Sequence, residues 1–111
     1  MKYLILAYGD EKAWNALSKA EQDELLAQDE VLRKRGDIVA AVRQSAVVVR
    51  ALDGTPTISN GPFAVSGLPL AGFGIIEAAD LDEAVRLVAK TPCACARGAV
   101  EIRAIEAINN F

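Results

Sequence analysis

Ala71-Gly72-Phe73-Gly74-Ile75-Ile76-Glu77-Ala78, followed by Asp80-Leu81-Asp82-Glu83, decides how the 111-residue chain folds. The first eight residues are apolar and unbroken by charge until Glu77, as in a strand buried on both faces. Gly72 and Gly74 let another backbone approach closely. Asp80 then offers an N-cap carboxylate and Glu83 an acid three residues into a helix. Leu81, Ala84, Val85 and Val88 recur at i, i+3, i+4 and i+7, which predicts a core stripe on that helix. Lys90 closes it, and Pro92 forbids its continuation.

The same grammar extends in both directions. Tyr3 to Tyr8 is a second apolar strand, closed by Gly9-Asp10. Residues 11–17 carry Trp14 and leave room for about one helical turn. Ser18-Lys19-Ala20-Glu21 is a capping box that opens a helix to about Arg35, with Gly36 supplying the left-handed position beyond it. Its expected apolar face is thin: Leu25, Leu26, Val31 and Leu32, with small Ala20 and Ala27. Ile38 to Val42 and Ala46 to Ala51 read as strands. Asp53-Gly54 reads as a two-residue hairpin turn. Thr57 to Ser59 follows Pro56, so this arm belongs at a sheet edge. Residues 64–70 read as a loop crossing a surface or a cleft mouth, and residues 93–98 as a loop. Ala99 to Ile105 alternates as a half-buried strand, and the tail 106–111 has no pattern. The order β-α-β-hairpin-β-α-β predicts an α+β, ferredoxin-like two-layer sandwich, an antiparallel sheet with two helices on one face. The strands around Leu4-Ile5-Leu6 and residues 72–76 are apolar on both sides, yet the helices cover one. A second copy on the open face, a homodimer, would cover the other.

Composition narrows the function. Hydrophobic residues make up 52% and charged residues 24%, the profile of one globular domain spanning 1–111. Twelve Lys+Arg against fifteen Asp+Glu give −3, which argues against nucleic acid as a partner. The chain has no histidine, so imidazole catalysis and histidine-ligated metal are excluded. Cys93 and Cys95 lack further thiol or imidazole partners for a zinc site, and a disulfide across one residue would be strained. They read as free thiols, and no metal or cofactor is expected. No apolar run reaches the roughly 18 residues of a membrane span, and the N-terminal stretch lacks a cleavage pattern, so a cytoplasmic protein is expected.

Met1-Lys2-Tyr3 leading to Tyr8-Gly9-Asp10-Glu11 and Trp14, then Asn60-Gly61-Pro62-Phe63, residues 71–77 and Asp80-Leu81-Asp82-Glu83-Ala84 resemble, in order and spacing, the DGPF group of the YCII-related family. The resemblance covers essentially the whole chain. It implies a bacterial, dimeric ferredoxin-like α+β barrel of largely unassigned function, with some members associated with extracytoplasmic-function sigma factors. It also implies an acid/base pair of a histidine on the first helix and an Asp after the second. Here Asp29 stands nearest the histidine's position, no carboxylate stands near Thr91-Pro92, and Asn60 replaces the name-giving Asp.

Candidate site residues follow. Asp29 and Asp10 are the catalytic candidates, able to share a proton if they converge. Asn60, Gly61, Pro62 and Phe63 could form a pocket rim whose backbone N–H groups face a ligand. Tyr8 and Trp14 offer aromatic walls, and Arg43 a counter-charge. The expected function is a small-molecule-binding module with its pocket near the first strand's end, the first helix and residues 60–66. The alternatives are an enzyme using Asp29 or Asp10 on a small organic substrate, and an interaction module acting with a transcription regulator.

Overall fold

A computed structural model describes residues 1–108; the tail reading for 109–111 lies outside the described residues. The elements run β1 (Lys2–Tyr8), α1 (Glu11–Ala16), α2 (Lys19–Lys34), β2 (Ile38–Ala41), β3 (Val47–Arg50), β4 (Thr57–Asn60), β5 (Leu70–Glu77), α3 (Leu81–Val88), α4 (Pro92–Cys95) and β6 (Ala99–Ala104). The main sheet has the order β2-β5-β1-β6, all antiparallel. With α2 and α3 over one face, this is the ferredoxin-like sandwich that the element order predicts.

Local chemistry sets the helix ends. The Ser18 hydroxyl accepts from Glu21 N (3.1 Å), and the Glu21 carboxylate accepts from Ser18 N (3.0 Å). These bonds satisfy donors that the first helical turn leaves orphaned. Gly36, at φ +96°, ends α2. Its N–H bonds Arg33 O at 2.9 Å while Asp37 N bonds Leu32 O at 3.1 Å, the pattern of a Schellman motif. Asp80 caps α3 by accepting from Glu83 N at 2.8 Å.

Register divides the sheet's two faces. Tyr3 pairs with Ile76 and Ala104, and Ile5 with Gly74 and Ile102. Tyr3, Ile5 and Ile76 enter the core with Leu32, Ala78, Ala84 and Val88. Period-two alternation sends Leu4, Leu6, Phe73 and Ile75 to the other side, where no helix among the described residues lies over them. Gly72 is required by proximity: a Cβ there would sit 2.5 Å from the Ala40 carbonyl oxygen.

Four expectations need correction. The hairpin β3–β4 does not join the main sheet; its strands pair only with each other. It forms an arm of a molecule measuring 51 × 35 × 20 Å. The turn is not two residues long, because Arg50 pairs with Thr57 and leaves 51–56 between them. Asp53 accepts from Thr55 N, and Gly54 N bonds Ala51 O, so Asp53-Gly54 serves a wider loop. Residues 92–95 are helical, with Pro92 at the start of α4, where its missing N–H costs nothing. Finally, α3 rests on Ala84, Leu87 and Val88, while Leu81 and Val85 are about half exposed. On α2 only Leu32 is fully buried.

Candidate functional site

A cleft opens between α2 and the sheet at the end where β1 finishes. Its inner chamber, about 230 Å³, lies beneath α2. The sheet supplies Ala7, Ala41, Ala71, Gly72 and Gly74 there, and Ile5, Leu32, Val39, Ile76 and Val88 complete an apolar wall. Larger side chains at Ala7, Ala41 and Ala71 would take up this space, while at Gly72 and Gly74 a Cβ would meet the Ala40 and Ile38 carbonyl oxygens at 2.5 and 2.9 Å. An outer chamber, about 520 Å³, is lined by Asp10, Glu11, Trp14, Gln44, Pro69 and Ala96 among others. Leu26, Asp29, Ala41, Ala71, Pro92 and Cys93 line both, so the chambers adjoin at these residues.

Asp29 is the polar group at this junction. It is half-buried on α2 and has no hydrogen-bond or ion-pair partner among the described residues. Burial raises its carboxyl above the ordinary value, opposed by the charge of Arg33 one turn on. Arg33 is itself engaged, with Nη1 3.4 Å from Glu30 Oε2. Facing Asp29 across the cleft floor is Cys93, carried by α4. Burial raises its thiol, and the Asp29 charge adds to the rise. A thiol next to a carboxylate and lacking a cation is held protonated, the opposite of an activated nucleophile. The arrangement therefore sets one half-buried carboxyl against a largely apolar chamber.

The match to the YCII-related domain spans residues 1–109. This chain belongs to the YCII-related family. It is 30% identical over 93 residues to an uncharacterized protein of Rhizobium meliloti (strain 1021), covering 77% of this chain and 75% of that one. Among solved structures it is similar to the 5-chloro-2-hydroxyhydroquinone dehydrochlorinase of Burkholderia phenoliruptrix AC1100, determined in complex with 2,5-dihydroxybenzoquinone. The TM-score is 0.50 at 18% identity, covering 96% of this chain and 94% of the neighbour. That likeness shows a shared fold.

The other residues singled out from the sequence of this YCII-related chain fall in two places. Asp10 and Trp14 line the outer chamber with Asp29. Asp10 also caps α1, its Oδ1 accepting from Ala13 N at 3.2 Å. Asn60 ends β4, and Gly61 takes the left-handed turn at φ +100°. Asn60 to Phe63 line neither chamber; they lie at the base of the arm, where Gly61 N bonds Ala46 O at 2.8 Å. Phe63 is 72% exposed, with the Arg50 guanidinium 5.2 Å from its ring centre. Tyr8 and Arg43 also lie outside both chambers' linings, Tyr8 half-buried at the end of β1 and Arg43 exposed. Sequence reasoning did not single out Cys93, Leu26, Ala41 or Ala71 for the site. The signal present was the set of small residues Ala71, Gly72 and Gly74, of which the glycines were read as close backbone approach alone. Among the described residues no His, Cys, Asp or Glu group of three is placed to hold a metal. No helix among them is long and apolar enough to cross a membrane.

Proposed function

We propose that the protein binds a small organic molecule in the cleft between α2 and strands β1, β2 and β5. One observation carries this reading: two adjoining chambers meet at Asp29, whose half-buried carboxyl has no hydrogen-bond or ion-pair partner among the described residues. Close-packed interiors hold few voids larger than a water molecule, and apolar pockets with few convergent polar groups are the usual form of ligand sites. The test is a thermal-shift screen of small neutral, cationic and anionic compounds, repeated on Ala41→Leu. Ala41 is exposed and lines both chambers, so leucine there obstructs the cleft and leaves the core alone. Ligand-induced shifts should vanish in that variant; shifts that persist would place binding elsewhere.

The raised Asp29 carboxyl favours a second reading, an enzyme in which Asp29 gives and takes a proton from the bound molecule. The structural neighbour is a dehydrochlorinase whose bound compound is a single ring, and a ring of that kind suits the size of the inner chamber. Asp29→Asn should then abolish turnover and keep binding.

The protein acts as a homodimer in this proposal. Leu4, Leu6, Phe73 and Ile75 form an apolar sheet face that no helix among the described residues covers, and Val47, Val49 and Ile58 are 61%, 59% and 67% exposed on the arm. An isolated two-stranded hairpin is marginal in water. Packed on a second copy, the arm would bring Arg43 and Asn60 to Phe63 towards the neighbouring subunit, the setting in which the DGPF-like segment would serve a site. Sedimentation equilibrium of the wild type against Ile58→Asp tests this; a wild type that sediments as a monomer at micromolar concentration would refute the dimer, and an Ile58→Asp variant that remains dimeric would remove the arm from its interface.

A further inference from the structure

We propose that the cleft accommodates a bipartite cation: an apolar ring or short chain seated in the inner chamber, joined to an ammonium group that pairs with Asp29. This rests on the cleft being a ligand site and adds the class of ligand.

The inner chamber determines the head of the molecule. Its wall is built from Ile5, Leu32, Val39, Ile76 and Val88 over the small residues of β1, β2 and β5. An apolar wall of this kind gains from covering by an apolar guest. The head is therefore a hydrocarbon ring or chain.

The junction and the outer chamber determine the tail. Every charged group lining the outer chamber is an acid: Asp10, Glu11 and Asp29. Arg33 lines the inner chamber, but its guanidinium already meets Glu30. A carboxylate half out of water gains from a cation that lies against it, and an anion of the same shape would enter a field of its own sign. Trp14 adds an aromatic wall to the outer chamber, a surface that attracts ammonium groups. Asp29 touches both chambers, so a ligand of two or three carbons between ring and nitrogen would satisfy head and tail together.

The test compares three probes of one shape: phenethylamine, phenethyl alcohol and phenylacetate, titrated calorimetrically into the wild type, Asp29→Asn and Ala41→Leu. A hydrogen bond to a charged group is stronger than one between neutral groups, so the amine should bind about tenfold or more tighter than the alcohol. Phenylacetate should bind weakest. Asp29→Asn should erase the amine's advantage and leave the alcohol unchanged. Glu11→Gln, on the exposed surface of α1, should reduce the advantage by a smaller factor. Phenylacetate binding as tightly as the amine, or an amine advantage that survives Asp29→Asn, would overturn the proposal. Failure of all three probes while other compounds bind in an Ala41→Leu-sensitive way would overturn it and leave the cleft reading standing. Amine binding untouched by Ala41→Leu would instead remove the cleft reading.

Discussion

The body and the arm of this molecule use similar residues to opposite ends. Ile76 on β5 is 1% exposed and sits among Tyr3, Leu32 and Val88; Ile58 on β4 is 67% exposed. Both are isoleucines on antiparallel strands. The body strand has a neighbour on each side and helices over one face. The arm strand has one neighbour and no covering layer. A strand's own composition does not decide burial; the layers placed against it do.

The sharpest way to break this comparison is one substitution made twice. Ile76→Ala removes a fully buried side chain and should cost about 2–5 kcal/mol of unfolding free energy. Chemical denaturation of the purified protein measures it. A cost below about 1 kcal/mol would mean that the core under α2 collapses around the loss.

A smaller effect is expected at the cap of α2. Ser18→Ala removes the acceptor of the Glu21 amide and half of the capping box. The expected cost is about 1 kcal/mol, read from the same denaturation curves. The double variant with Glu21→Ala should lose less than the sum of the singles, because each partner works through the other.

Ile58→Ala, on the arm, should change stability by no more than about 0.5 kcal/mol in dilute monomer. A cost that grows with protein concentration would show the arm packed on a second copy. The pair Ile76 and Ile58 thus separates what the chain stabilises alone from what an assembly stabilises.

The contrast also explains what could be read from the sequence. Caps and stops are local, so Ser18-Glu21, Gly36, Asp80-Glu83 and Pro92 placed the helix ends within a residue or two. Strands β1 and β5 were legible because each is a continuous apolar run. Pairing is non-local, so nothing between 43 and 68 revealed that β3–β4 leaves the main sheet. The stripe on α3 was rotated: Leu81 fits the periodicity of the core-facing set but meets no covering layer, and Leu87 packs in its stead. In the site, Asp29, Asp10 and Trp14 were legible as residue types near the end of β1. The chambers were not, because they arise where the strands carry only small residues, Ala7, Ala41, Ala71, Gly72 and Gly74. A small residue in a sequence reads equally as tight packing or as empty space until its neighbours across the sheet are known.

The smallest effect lies at the seam of body and arm, where Gln44 and Pro69 bring the arm's two feet to the cleft mouth. Asp29 sits in that cleft with its carboxyl raised by burial. In the folded protein it therefore binds a proton at a higher pH than in the unfolded chain, where an aspartate titrates near about 3.9. Between these two pH values the folded state holds more protons, so stability falls as pH rises through the window. Above it, the ionised carboxylate carries its full desolvation cost. Asp29→Asn removes that cost, so at neutral pH the variant should melt slightly higher than the wild type. The gain should shrink as pH is lowered through the window and vanish below the unfolded value, as followed by thermal melts across an acid series. A saturating amine in the cleft should reverse the sign, making the wild type the more stable protein at neutral pH. A neutral-pH melting point lowered by Asp29→Asn without ligand would instead mean that the carboxylate already has a stabilising partner. Arg33, one turn on along α2, is the nearest source of one.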